Sequence, residues 1–324
     1  MASIKLLVGE EFKHFGRCDS SGSLAVDSQH FMVADDEQNV LSIYLAHTDG
    51  QAIKVFDIND YFTPNNGKEV DIEGSTTLGN LTFWITSHGT NSKGAARPQR
   101  QQFFATKLSL ESWQLEQVGH SYHQLIADLI VDERLQKYNF AAAAQIAPKQ
   151  PGGLNIEALS ATLRQEILIG FRNPLIAGRA IVLKLKNPQE LVLNPTARAI
   201  FGKPIELDLG GLGIRSMEYW PQLQQYLIVA GAVDGGSEFA LYLWSGDRLN
   251  SPQLVDVPLP ADFRPEGIVL YPDPPVRGVN PPGQRVQLIS DDGSVVRDGR
   301  TACKDLPTSA SKYFRSLYLT VANS

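Results

Sequence analysis

Five times along the chain a short apolar strand opens on a carboxylate or a hydroxyl, reverses at a tight turn and returns as a second strand. The clearest copy is DIEGSTTLGNLTFWITSHG, residues 71–89, which turns at Gly79-Asn80. NIEALSATLRQEILIGFRNP from Asn155 repeats it, and RPEGIVLYP from Arg264 pairs with RVQLISDDG beyond a Pro-rich stretch. Weaker copies are DSSGSLAVDSQHFMVADDE from Asp19 and GIRSMEYWPQLQQYLIVAGA from Gly213. Recurrence of one small β unit means a repeat architecture, in which each unit completes its core against its neighbours.

Two further strands follow the hairpin in the first four units, each bounded by Asp, Gly, Asn or Ser. The fifth unit is one strand short, and the orphan strand IKLLVGE, residues 4–10, can supply what is missing. Joining the two chain ends in one sheet closes a ring and removes its exposed edges. The expectation is an all-β, five-bladed propeller with four-stranded blades, forming a single domain over residues 1–324. The blades fall at about 18–67, 71–119, 154–210, 213–260 and 264–322. Taking Ser21, Glu73, Glu157, Ser216 and Glu266 as equivalent, the steps are 52, 84, 59 and 50 residues. Three are near the ~40–50 residues of a propeller blade. The long step carries an insertion at about 120–150, where Leu125, Ile126, Leu129, Ile130 and Leu135 have helical spacing. Counting that insert as a degenerate blade gives six blades as the alternative.

Composition narrows the function classes. With 43% hydrophobic and 20% charged residues the chain can build a core, and its net charge of -6 does not suit nucleic acid. No apolar run reaches the ~18 residues that span a bilayer, and the N-terminus lacks a signal-peptide core, so the expected setting is the cytoplasm. Cys18 and Cys303 lie near the two chain ends, which a closed ring brings into neighbouring units. One bridge is therefore conceivable, but a cytosolic chain is expected to keep both thiols reduced.

The five equivalent residues open the innermost strands and therefore ring the central axis at one depth. Ser20 or Ser23 in the first unit and Glu218 in the fourth are alternative registers. Three converging carboxylates, Glu73, Glu157 and Glu266, must be neutralised by protons or a cation. A ring of carboxylates and hydroxyls suits calcium, which takes six to eight oxygen ligands. The order Ser, Glu, Glu, Ser, Glu resembles the central calcium site of the five-bladed calcium-activated nucleotidases, the apyrase family. The phrases IEGST, SHG, NIEALS, GFRNP, GLGIRS and RPEGIV more closely resemble an uncharacterised bacterial domain-of-unknown-function family related to esterase-like phytase domains. The first resemblance implies Ca2+ at Ser21, Glu73, Glu157, Ser216 and Glu266. The second carries no settled activity.

Second-strand exits are expected on the same face, bringing Asp35, Asp36, His88, Arg172 and Asn173 above the axis, with Asp291 and Asp292. The loop after His88 adds Lys93, Arg97 and Arg100, while Arg179 follows Arg172 and Arg215 lies beside Ser216. The helical insert could cover this mouth as a lid. Clustered cations above a metal suit a small anionic, phosphate-bearing ligand. His88 and Arg172 are the candidate catalytic residues, His88 as general acid or base. Two functions stay open: a calcium-dependent hydrolase of phosphate or other esters, and a non-catalytic ligand- or protein-binding propeller with structural calcium. Trp84, Trp220 and Trp244 are expected to pack between blades, and GGLGIR reads as an inter-blade turn.

Overall fold

The computed structural model describes residues 4–35, 37–62, 67–272, 285–297 and 299–322. Strand alternation and turn chemistry produce what the repeat implies: five sheets arranged as a five-bladed β-propeller, four strands per blade. Blade two is typical. Its strands Ile72–Leu78, Leu81–Thr86, Phe103–Ser109 and Gln114–Tyr122 pair antiparallel in sequence order. The first two join through a two-residue turn, with Leu78 opposite Leu81 and Gly79 at φ +64°, a conformation in which a Cβ is costly. The innermost strands of the other blades are Ser23–Ala25, Asn155–Ala161, Gly213–Trp220 and Pro265–Val269.

The ring closes as the missing strand implies. Leu6–Phe15 pairs antiparallel with Tyr313–Val321 and completes blade five, with Leu6 opposite Val321 and Phe15 opposite Tyr313. This strand begins and ends later than residues 4–10, because its partner offers nine residues to pair with. A two-residue strand, Gly50–Gln51, runs parallel along its outer edge.

Burial between blades supplies the cores. Trp84, Trp220 and Trp244 are fully enclosed between successive blades, Trp84 donating Nε1–H to Thr106 Oγ1 at 2.9 Å. Blades two and three enclose the largest apolar cluster, into which the insert sends Leu125, Ile126, Leu129 and Leu135. Its helix is short, Leu125–Val131, and Ile130 faces outward. The insert begins later than expected, since the last strand of blade two runs on through His120 to Tyr122. The helices pack beside the blades and do not lid the axis. Only the return segment around Pro148 and Gln150 reaches the mouth, where Asn173 Nδ2 donates to both backbone carbonyls, at 2.9 and 2.7 Å.

The reduced state expected for the cysteines is corrected. Cys18 and Cys303 form a disulfide, both nearly fully buried. Ring closure brings the ends together, and Cys18 O accepts from Asp292 N at 3.0 Å to hold the two segments in register. Among the described residues no helix is long and apolar enough to cross a membrane.

Candidate functional site

Four innermost strands share one irregularity near their start. A β-bulge falls between Ile72 and Gly74, Ile156 and Ala158, Ile214 and Ser216, and Pro265 and Gly267. The extra residues are Glu73, Glu157, Arg215 and Glu266. In blade one, Ser21 N and Gly22 O both bond Ala34, which puts Ser21 at the same level. A bulge re-aims one side chain without breaking the sheet, and here it aims one per blade at the axis.

This geometry corrects the register of blade four. Its axial residue is Arg215, and Ser216 stands in the ladder opposite Val229. A one-residue slip in a strand exchanges its faces, so the ring gains a guanidinium where a hydroxyl was expected. Arg215 Nη1 lies 3.1 Å from Glu157 Oε2 and 2.5 Å from Glu266 Oε1. Glu157 Oε1 also accepts from Arg172 Nη1 at 2.9 Å and from Asn155 Nδ2 at 2.6 Å. Ser21 Oγ is committed to Ile72 O at 2.5 Å.

Charge follows from these contacts. Burial alone would raise the Glu157 carboxyl, but Arg215 and Arg172 hold it below the ordinary range. Burial works against the charge of Arg215, and Glu157, Glu266 and Glu73 more than restore it. Glu266 shares the same Arg215 nitrogen with the better-served Glu157. Burial, with Asp291 and Glu157 adding, therefore raises it to about 8 against the pull of Arg215.

Two positions before each axial residue stands a second set, most of which lines the same cavity. It consists of Asp19, Asp71, Asn155 and Arg264, with Gly213 in blade four. Gly213 is required there, because a Cβ would come within 1.9 Å of Arg172 O. Both sets open into one cavity of about 700 Å³, which Arg97, Arg100, Lys149, Phe239, Asp291 and Lys304 also line. Arg100 bridges Glu69 and Asp71. Burial, reinforced by Asp291, Glu37 and Asp35, raises Asp19 to about 8.

Of the residues singled out from sequence, Glu73, Glu157, Arg172, Arg215, Glu266, Arg97 and Arg100 meet in this cavity. Others are placed elsewhere. His88 is fully buried, its Nδ1 at 2.8 Å from Thr86 O, and does not line the cavity. Asp35 accepts from Arg17 at 3.0 Å and from two backbone amides of its own turn. Lys93 and Arg179 are exposed outside the cavity, Arg179 in a tight turn with Ile176. Asn173 tethers the return segment, and buried Asp292 forms a two-pronged ion pair with Arg315. Asp36 lies outside the described residues. Among the described residues no three acidic, His or Cys side chains form a group that could hold a metal ion.

Burial lowers His88 to about 4, and His14, enclosed by Phe31, Tyr44 and Phe314, to about 3. Both rings are expected to stay neutral from pH 8 to 5, which imidazole 15N shifts would report directly. Their folded values lie below the ordinary 6.5, so each favours folding above that pH and loses the contribution as pH falls toward 4 and 3. Titration of either ring near 6.5 in the folded protein would contradict the burial argument.

The fold and site define a five-bladed propeller with a charged axial cavity. A family model described as a protein of unknown function (DUF3616) matches residues 104–258, somewhat less than half of the chain. No curated protein sequence matches it. Among solved structures it is similar to the PQQ-bound aldose sugar dehydrogenase of Streptomyces coelicolor, at 11% identity and a TM-score of 0.49 over 99% of both chains. A luciferin-regenerating enzyme is similar at 7% and 0.43, over 96% of this chain and 94% of its own. A streptogramin B lyase is similar at 12% and 0.36, over 99% and 98%. None of these likenesses assigns an activity to this chain.

Proposed function

We propose that this propeller binds a small, charged molecule in its axial cavity, with Arg215 as the counter-charge that holds the carboxylate ring together. The observation that carries this reading is the cavity itself, about 700 Å³ at the axis and lined from all five blades by charged side chains, among them Asp19, Arg100, Glu157, Arg172, Arg215 and Glu266. A concave site with convergent polar groups is where a small ligand is expected to bind.

Calcium-dependent ester hydrolysis is the second reading. In its favour is the surplus of carboxyls held protonated at the mouth, which a cation would relieve. Two observations favour binding instead. A guanidinium nitrogen already stands between Glu157 and Glu266, where a shared metal ion would bond both. His88, the general acid or base of that reaction, does not reach the cavity. The disulfide also suits an oxidising compartment better than the cytoplasm.

A thermal melt of chelator-treated protein, titrated separately with calcium and magnesium, separates the readings. The expected result is no shift with either ion. An upward shift of several degrees at micromolar calcium, with little at the same concentration of magnesium, would reinstate the axial metal through binding linkage.

A further inference from the structure

At the other end of the axis lies a second cavity, and we propose that it binds an apolar primary amine whose ammonium pairs with the Glu218 carboxylate. This site is separate from the one described above, since the two cavities share no lining residue. Its volume is about 530 Å³, and its walls are built by the far ends of four inner strands. Leu24, Thr77, Tyr219 and Ile268 stand there, with Leu270 and Tyr271 just beyond the last strand. Glu218, three residues past Arg215 in the strand Gly213–Trp220, also lines it. A concave, largely apolar site with one placed polar group is the usual form of a small-molecule pocket.

Glu218 is the group this cavity leaves unserved. Its Oε1 accepts from the neighbouring Tyr219 N–H at 3.1 Å, and among the described residues it has no other partner. The side chain keeps part of its surface accessible, so a ligand in the cavity can reach it. Burial raises the carboxyl to about 8, opposed by that one amide and by no nearby cation. Among the described residues the only other charged group in the lining is Arg285, and it is served from outside. Its Nη2 lies 3.4 Å from Glu10 Oε2, and its Cζ stands 4.4 Å from the centroid of the Tyr318 ring. Tyr271 likewise commits its hydroxyl to Gln287 Oε1 at 2.5 Å. A carboxylate set in apolar walls is costly until a cation joins it. An ammonium supplies that cation, and the apolar body attached to it covers Leu24, Ile268 and Leu270. An alcohol would leave the charge uncompensated, and a carboxylate would add a second one.

Calorimetric titration of the wild-type chain at about pH 8.5 tests this, because there the carboxyl is ionised and a primary amine is still protonated. The probes are phenethylamine, phenethyl alcohol and phenylacetate, then hexylamine, hexanol and hexanoate. The expected result is at least one amine that binds tenfold or more tightly than its alcohol and its acid. Glu218→Gln is expected to abolish that preference while melting at or above the wild-type temperature, since the glutamine oxygen accepts the same Tyr219 N–H. In 15N-tyrosine-labelled wild type the Tyr219 amide is expected to shift with the amine, which locates the site without the variant. Equal binding of the alcohol or the acid would overturn the amine class. An amine preference that survives Glu218→Gln, or that leaves the Tyr219 amide unmoved, would put the amine elsewhere and overturn the site. So would the absence of binding by all of these compounds at millimolar concentration.

Discussion

Arg215→Ala is expected to cost the fold about 3–5 kcal/mol, the usual range when one partner of a buried ion pair is removed. Arg215 is 6% exposed and its Nη1 serves Glu157 and Glu266 at once. Without it two buried carboxyls converge on the axis, and Glu157 keeps the Arg172 guanidinium and the Asn155 amide as its hydrogen-bond partners while Glu266 loses the guanidinium it shares. The loss would appear as a lower urea midpoint at an unchanged slope. Ser216→Ala, one residue on, is expected to fall within about 0.5 kcal/mol of wild type, since its side chain is not in the ring. The pair of variants separates the bulged register from the regular one. If Ser216→Ala were the costly change and Arg215→Ala the neutral one, the axial assignment of blade four would be wrong.

The second large effect concerns ring closure. Replacing both cysteines with alanine is expected to lower stability by roughly 4–5 kcal/mol, because the Cys18–Cys303 bridge spans 285 residues of sequence. In the chain-entropy account a cross-link stabilises by restricting the unfolded chain, and the restriction grows with the loop it closes. The bridge also adjoins the blade that both chain ends build, where Leu6–Phe15 meets Tyr313–Val321. Urea unfolding of the wild type with and without reductant should reproduce the difference between wild type and the double variant. A wild type equally stable in both conditions, with the bridge shown intact by mass in the oxidised sample, would reject this account.

Much of the architecture was legible in the residues. Five recurrences of a strand-turn-strand unit, the first four each followed by two more strands, imply five blades. One strand short at the C-terminal end and one spare at the N-terminal end imply how the ring closes. Four of the five axial residues were readable too, because Ser21, Glu73, Glu157 and Glu266 open equivalent strands. A stricter alignment would also have found the fifth: Ile72-Glu73-Gly74, Ile156-Glu157-Ala158 and Ile214-Arg215-Ser216 each place the axial residue between Ile and a small residue. The second set carries the same kind of signal, two positions upstream at Asp19, Asp71, Asn155 and Arg264.

Strand number, order and closure were determined by the sequence alone, because alternation, turn residues and repeat spacing act over a few neighbours and are written locally. Which of two adjacent residues faces the axis was decided only in the tertiary structure, where one bulge exchanges Ser216 for Arg215. The fate of His88 was decided there as well: polar in type and near the mouth in sequence, it is enclosed by the packing of blade two and its loop. So was the disulfide, since two residues 285 apart meet only when the ring is complete. Bulge position, burial and long-range pairing depend on what lies across space from a residue, and no local pattern records that.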